Sequence, residues 1–234
     1  MAAGTVFRVL LIWELSTGAI LHRLLGHTGV IFDTLYLRNG AVASVSDDRT
    51  VRVWQDGESI AEMYGHSSRI WKLAQLESTS SSDDELVIVT ASEDATCKVW
   101  SVKREENKEI TTLRGHLGKN IRALSTSLGN LIATGGEDGS VKLWNLKQIV
   151  SLQKDACEEA VVIKTRIPLP GQDVVLPSAE PAEQQLKQTE KQKMKTNQIK
   201  CIRIASEDME GACPSVFVAT MKGTFRKHRL TTDV

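Results

Sequence analysis

Through residues 1–150, apolar and polar positions alternate in short runs broken by Gly, Asn, Asp or Ser. Thr50-Val51-Arg52-Val53-Trp54 and Ser140-Val141-Lys142-Leu143-Trp144 set Val or Leu against a charge at every second position, as a strand with one buried face requires. Residues 6–13 and 19–25 read as two strands joined at Ser16-Thr17-Gly18. Further β-branched runs between turn residues predict strands up to Trp144. Over 153–198 the alternation is lost. This stretch holds Pro168, Pro170, Pro177 and Pro181 and then a run of Glu, Gln and Lys, a composition that buries little and predicts a disordered insert, with a short helix over 183–195 as its one candidate element. Strand character returns at 199–204, 216–220 and 225–228.

The strands fall into a repeat. Trp13, Trp54, Trp100 and Trp144 recur at steps of roughly 40–46 residues, the period of a four-stranded propeller blade. Asp48, Asp94 and Asp138 each stand six residues before a Trp, and Ser44, Thr90 and Thr134 ten before. A Gly-His pair, ending in His27, His66 or His116, opens each unit. The pattern predicts an all-β fold, a WD-repeat β-propeller that is partial: full repeats at 26–64, 65–114 and 115–150, an incomplete blade at 1–25, the insert at 151–198, and a degenerate partial repeat at 199–234. In the last, Thr220 fits the hydroxyl place, but the Asp and Trp are gone. Residues 1–25 read as strands three and four of a blade. That pair and the C-terminal trio make five strands rather than the four of one closing blade, so an open arc is expected.

The recurring His, hydroxyl, Asp and Trp are expected to form a structural tetrad: His to Asp, hydroxyl to His, and Trp N–H to hydroxyl, satisfying every buried polar group. His, Asp and Ser together also suggest a hydrolase triad or a metal site. A triad occurs once per active site, however, whereas this set returns with every repeat, and no G-x-S-x-G, H-E-x-x-H or Gly-rich phosphate loop accompanies it. Gly135-Gly136 and Gly139 sit at a strand turn, and His22 and His228 are unrepeated. No catalytic residue, cofactor site or metal site is expected, and no βαβ unit with a Gly-rich turn is present to bind a cofactor.

Composition narrows the function further. The chain has 234 residues with 41% hydrophobic, and Lys plus Arg (29) equals Asp plus Glu (29); zero formal charge argues against a broadly basic nucleic-acid surface. The four cysteines (Cys97, Cys157, Cys201, Cys213) form no C-x-x-C pair, and Cys97 takes the place of Val51 and Val141 in sister repeats, as an apolar filler. The run 6–12 is interrupted by Arg8 and followed by Glu14, unlike a secretory signal. With unpaired thiols and no long apolar run, a cytoplasmic protein free of membrane is expected.

Partner contacts are expected where the loops entering the innermost strands gather. Aligned on Ile31, Ile70 and Ile121, the flanking residues are Val30 and Phe32, Arg69 and Trp71, Asn120 and Arg122, joined by Asp47, Glu93 and Glu137 just before the tetrad Asp. Exposed Phe32, Trp71, Arg69 and Arg122 would suit a protein interface or base stacking; the alternative is that Phe32 and Trp71 pack between blades. Lys222, Arg226, Lys227, His228 and Arg229 are the one basic cluster, read first as protection of a strand edge and second as a phosphate contact. In the second repeat an acidic insertion, 78–85, includes Ser82 followed by Asp83, Asp84 and Glu85, a solvated loop first and a phosphorylation site second.

The segments Gly26-His27-Thr28-Gly29-Val30-Ile31-Phe32, Ser46-Asp47-Asp48-Arg49-Thr50-Val51-Arg52-Val53-Trp54, Gly65-His66-Ser67-Ser68-Arg69-Ile70-Trp71 and Gly115-His116-Leu117-Gly118-Lys119-Asn120-Ile121-Arg122-Ala123, in that order, resemble the WD repeat-containing protein 6 family. The resemblance covers about 19–147. It implies a non-catalytic partner of an FtsJ-type tRNA 2′-O-ribose methyltransferase, acting on the wobble nucleotide of the anticodon loop. S-adenosylmethionine would bind the partner enzyme, and tRNA would be met indirectly or weakly. Members of that family are far longer, so a truncated form is the competing expectation, beside a generic interaction scaffold such as a ubiquitin-ligase receptor. Against the receptor, the residues after the four Trp are Glu14, Gln55, Ser101 and Asn145, and no Trp-Asp-x-Arg box occurs.

Overall fold

A computed structural model describes residues 1–76, 86–103, 106–127 and 131–146, and the backbone of three further strands, 199–205, 215–220 and 225–229. The acidic insertion with Ser82, the 151–198 insert and its candidate helix lie outside the described residues.

Every described element is a strand, and the sheets follow the repeat. The first holds β1 (Ala2–Gly4), β2 (Val9–Trp13) and β3 (Ile20–Leu25). Then come β4 (Ile31–Tyr36) to β7 (Glu58–Met63) by way of β5 (Val42–Ser46) and β6 (Val51–Gln55). The third sheet runs β8 (Ile70–Leu76), β9 (Leu86–Ser92), β10 (Thr96–Val102) and β11 (Asn107–Arg114). The fourth holds β12 (Ile121–Ser127), β13 (Leu131–Gly136) and β14 (Val141–Asn145), and the last β15 (Ile199–Ala205), β16 (Ser215–Thr220) and β17 (Phe225–Arg229). All pairings are antiparallel meanders. The innermost strands β4, β8, β12 and β15 lie side by side in that order, with β1 against β4, giving an arc of blades.

The N-terminal blade differs from the sequence reading. It has three strands, not two: β1 pairs with β2, Ala3 opposite Leu11. Ala-Ala-Gly carries no strand signature, so β1 was illegible, and Val6 and Phe7, read as the start of a strand, form the exposed turn between β1 and β2. Among the described residues, this blade shows three paired strands, β1 to β3. Gly4 is demanded by packing, since a Cβ there would lie 2.2 Å from Ile31 Cγ2 on β4.

The core lies between blades. On β6, Val51 and Val53 point forward, with Ala61 and Met63, and meet Ile70, Leu73, Leu86, Ile88 and Trp100 of the following blade. Trp54 points backward onto Leu10 and Leu24 of the preceding one, and Trp144 likewise onto Cys97, Val99 and Leu113. Each blade thus offers aliphatic residues forward and a Trp backward, so two-residue alternation within a strand sets the blade-to-blade interface. Cys97 is fully buried, and burial pushes its thiol well above the usual range.

Between strands two and three, the residue five before each Trp adopts a left-handed conformation: φ is 67° at Arg8, 70° at Arg49, 65° at Ala95 and 71° at Gly139. A Cβ there costs roughly 1–2 kcal/mol, partly offset by the chain entropy that Gly loses. Ala95→Gly is therefore expected to raise stability by about 0.5–1 kcal/mol, read as a higher melting temperature; a fall would contradict the strain assigned to this turn.

Candidate partner-binding face

The tetrad positions come together in all three repeats that carry them, the third of which shows three strands, β12 to β14, among the described residues. His27 Nδ1–H donates to Asp48 Oδ2 at 2.7 Å, Ser44 Oγ lies 2.8 Å from His27 Nε2, and Trp54 Nε1–H donates to Ser44 at 2.8 Å. His66, Thr90, Asp94 and Trp100 repeat this at 2.8, 2.9 and 2.9 Å. His116, Thr134, Asp138 and Trp144 do so at 3.1, 2.8 and 2.9 Å. With Nδ1–H donating to the ionised carboxylate, Nε2 is left to accept the hydroxyl proton, and the hydroxyl oxygen accepts from the indole.

A fifth member was missed. Thr50, Thr96 and Ser140, four residues before each Trp, donate to the same carboxylates at 2.7, 2.6 and 2.8 Å. Their recurrence was a readable signal. The carboxylate also accepts the backbone N–H after each His, from Thr28, Ser67 and Leu117, which locks the loop. Gly before the His is required at this bend: φ is 155° at Gly65, where a Cβ would lie 3.1 Å from the Trp100 ring.

Burial drives His27 below its ordinary 6.5, outweighing the bond and charge of Asp48. Burial alone would raise Asp48, but bonds from Thr50, His27 and Thr28 hold it down at about 2 against 3.8. Asp94 and Asp138 lie below the carboxylate range in the same way, burial being outweighed by His66 and His116 together with neighbouring donors. These carboxylates are acceptors saturated by their neighbours, and the imidazoles are enclosed, so the set has neither an open nucleophile nor a substrate-facing base. Among the described residues, no group of three or more His, Cys, Asp or Glu could hold a metal ion, and no helix is long and apolar enough to cross a membrane.

The candidate contact residues form a second constellation, on the loop side of the innermost strands. Register shifts fall between Ile31 and Asp33, Ile70 and Lys72, and Ile121 and Ala123, so Phe32, Trp71 and Arg122 are the bulged residues of three successive strands. A bulge re-aims its side chain. Phe32 and Trp71 stack across blades with centroids 4.6 Å apart, and the Arg122 guanidinium lies 3.8 Å from the Trp71 centroid. All three are half-buried, less open than the sequence suggested, because each covers its neighbour; Trp71 both packs between blades and keeps part of its surface in solvent. Its indole N–H donates to Asn120 Oδ1 at 2.9 Å, and Asn120 Nδ2 donates to Glu137 at 2.7 Å.

Beside this row, Arg69 bridges Asp47 at 3.2 Å and Glu93 at 2.8 Å, joining two blades. Its side chain is 44% exposed, so the bridge contributes little to stability and presents charge outward. Val30 takes part through its carbonyl, which accepts the Asp47 N–H at 2.9 Å. Two further links had no sequence signal, since neither repeats: Lys72 to Asp33 at 3.2 Å, and Thr126 Oγ1 donating to the Gln75 carbonyl at 2.7 Å. The basic cluster around 222–229 lies partly outside the described residues, and only the backbone of β17 is placed.

The network makes quantitative demands. Asp94→Ala leaves His66 without its acceptor and is expected to cost about 1–3 kcal/mol, and Trp100→Ala roughly 3–5 kcal/mol, both read by chemical denaturation; equal stabilities for Asp94→Ala and wild type would contradict the assignment. A depressed carboxylate stabilises above its unfolded value, so the Asp48 contribution is full above about pH 4 and is lost as pH falls towards 2. The lowered His27 acts in the same direction at higher pH: its unfolded ring binds the proton first, so stability drops as pH falls below 6.5. Melting temperature should therefore decline in two stages on acidification, and His27→Gln should remove the upper stage in the first full blade.

Comparison with known proteins agrees with this geometry. The chain is 35% identical over 164 residues to the tRNA (34-2′-O)-methyltransferase regulator WDR6 of Mus musculus, and 34% identical to the Homo sapiens protein of that name. Each match covers 62% of this chain and 14% of the relative, so the chain spans about a seventh of the length of these proteins. WD repeat-containing protein pop1 of Schizosaccharomyces pombe is 27% identical, with 60% of this chain and 23% of that protein covered. Among solved structures, the WD40 β-propeller domain of Doa1 superposes with a TM-score of 0.63 at 16% identity, covering 99% of this chain and 60% of that one, a likeness of fold alone. Residues 18–55, 57–101 and 107–145, just over half of the chain, match the WD domain, G-beta repeat family. The chain belongs to that family.

Proposed function

We propose that this chain is a non-catalytic adaptor that, with an FtsJ-type methyltransferase, supports 2′-O-ribose methylation of the wobble nucleotide in the tRNA anticodon loop. The observation that carries the reading is the similarity to proteins named tRNA (34-2′-O)-methyltransferase regulators, at 34–35% identity over 164 residues. The geometry suits a regulator, because the polar constellations capable of acid-base chemistry are spent on holding blades together. The enzyme would dock on the face carrying Asp47, Arg69, Glu93, Asn120 and Glu137 around the Phe32–Trp71–Arg122 stack. That stack offers aromatic and arginine surface held in place before binding, the residue types that dominate interfaces. S-adenosylmethionine belongs to the enzyme, tRNA is met indirectly or weakly, and the cytoplasm is the compartment.

The runner-up is a general WD-repeat scaffold, favoured by the 27% identity to pop1 and the 29–30% identity to transducin beta-like protein 3 of rat and human. Co-purification of the full chain with the FtsJ-type enzyme, followed by a wobble-ribose methylation assay, separates the two. The adaptor reading expects capture of the enzyme, about tenfold weaker capture after Trp71→Ala or Arg122→Glu, and an unchanged melting temperature for Arg122→Glu. Absence of the enzyme from the purified material would leave the scaffold.

A further inference from the structure

The charged side chains beside the three bulges are paired, whereas the one that stands at a bulge is not. Arg69 is held by Asp47 at 3.2 Å and Glu93 at 2.8 Å, Lys72 by Asp33 at 3.2 Å, and Glu137 accepts from Asn120 at 2.7 Å. Arg122 makes no hydrogen bond or ion pair among the described residues. Its contact is with the Trp71 ring, whose centroid lies 3.8 Å from the guanidinium carbon, and it is half-buried there. Stacking uses the face of a guanidinium and leaves its N–H donors, which lie in the plane, still in need of acceptors. Arg69 approaches the same ring at 5.5 Å, so two cations share one indole and only one of them is neutralised.

Trp71 is a fixed support for this arginine. Its N–H donates to Asn120 Oδ1 at 2.9 Å. Asn120 is itself held at a left-handed φ of 62°, donates its own N–H to the Glu93 carbonyl at 3.1 Å and accepts the Glu137 N–H at 3.0 Å. Phe32, from the strand on the other side of β8, packs against the indole at 4.6 Å. A guanidinium stacked on such a support loses less rotamer freedom on binding than a solvated one. The fork it presents matches a carboxylate, which accepts two parallel N–H bonds. A phosphodiester chain fits these surroundings poorly, because Asp33, Asp47, Glu93 and Glu137 interrupt the cations and leave no track of positive charge for successive phosphates.

We propose that Arg122 is the receptor for a single Asp or Glu side chain of a docked protein segment, with Phe32 and the exposed part of Trp71 covering an apolar residue beside that acid. This rests on the reading of this face as the docking face and adds the chemistry of what docks there: an acidic residue next to an apolar one, rather than a basic segment or RNA.

Selection of random peptides from a display library on the immobilised full chain tests this, run in parallel on wild type, Arg122→Gln and Arg122→Lys, with the melting temperature of each variant as the check that it is folded. The expected result is enrichment on wild type of peptides that carry Asp or Glu beside an aliphatic or aromatic residue. Their binding should weaken about tenfold or more on Arg122→Gln, recover only in part on Arg122→Lys, which lacks the fork, and fall as salt rises. Replacing the peptide's acid by its amide should cost as much on wild type and nothing further on Arg122→Gln, a coupling that a merely structural role for Arg122 does not produce. No enriched peptide, enrichment of peptides without an acid, equal binding to Arg122→Gln, or an Arg122-dependent affinity for tRNA in place of acidic peptides would overturn the proposal. Capture of the FtsJ-type enzyme is scored separately. Its failure, with acidic peptides still bound through Arg122, removes the adaptor reading and leaves this site; capture of the enzyme with no acidic peptide selected does the reverse.

Discussion

Everything in this arc depends on a buried histidine whose two nitrogens do opposite things. Nδ1 donates to an aspartate on the following turn, and Nε2 accepts from a hydroxyl on the second strand, which in turn accepts from the Trp on the third. The chain of bonds runs from loop to turn to two strands, so a segment with no ladder of its own is fixed as firmly as a strand. The same Trp is the backward-facing knob of the blade, set against the aliphatic residues of the one before. Intrablade bonding and interblade packing therefore meet in one side chain, and neither can be altered alone.

That coupling explains why the partner-binding candidates lie where they do. With the loops pinned, the residues ahead of each tetrad Asp and around each innermost-strand bulge are held in register from blade to blade. Asp47, Arg69 and Glu93 link two blades, and Trp71, Asn120 and Glu137 link the next two. A row assembled from three blades is rigid because its supports are rigid, and ordering these side chains before an encounter lowers what binding has to spend on them. The aspartates that look most reactive are the least available, since hydrogen bonds hold Asp48 near 2 and its neighbours lower still.

Legibility in the sequence followed repetition. The tetrads, the repeats that carry them and the buried Cys97 could be read because each recurs at a fixed offset from a Trp; Thr50, Thr96 and Ser140 recur just as regularly and were there to be found. β1 could not be read, since Ala2–Gly4 has neither alternation nor β-branched residues and is a strand only because β2 offers a ladder and Gly4 fits against Ile31. The stacking of Arg122 on Trp71 was equally hidden, because it joins residues of different blades that no period relates.

The central claim is that the histidine relay is structural and wired in one direction, with the proton on Nδ1. Nitrogen-15 resonance of the histidine rings in the full chain measures this directly. The account predicts Nδ1–H tautomers for His27, His66 and His116 near neutral pH, with slowly exchanging ring protons and a coupling from each Nε2 to its hydroxyl residue. Nε2–H tautomers, or ring protons exchanging as freely as those of exposed His22, would contradict it.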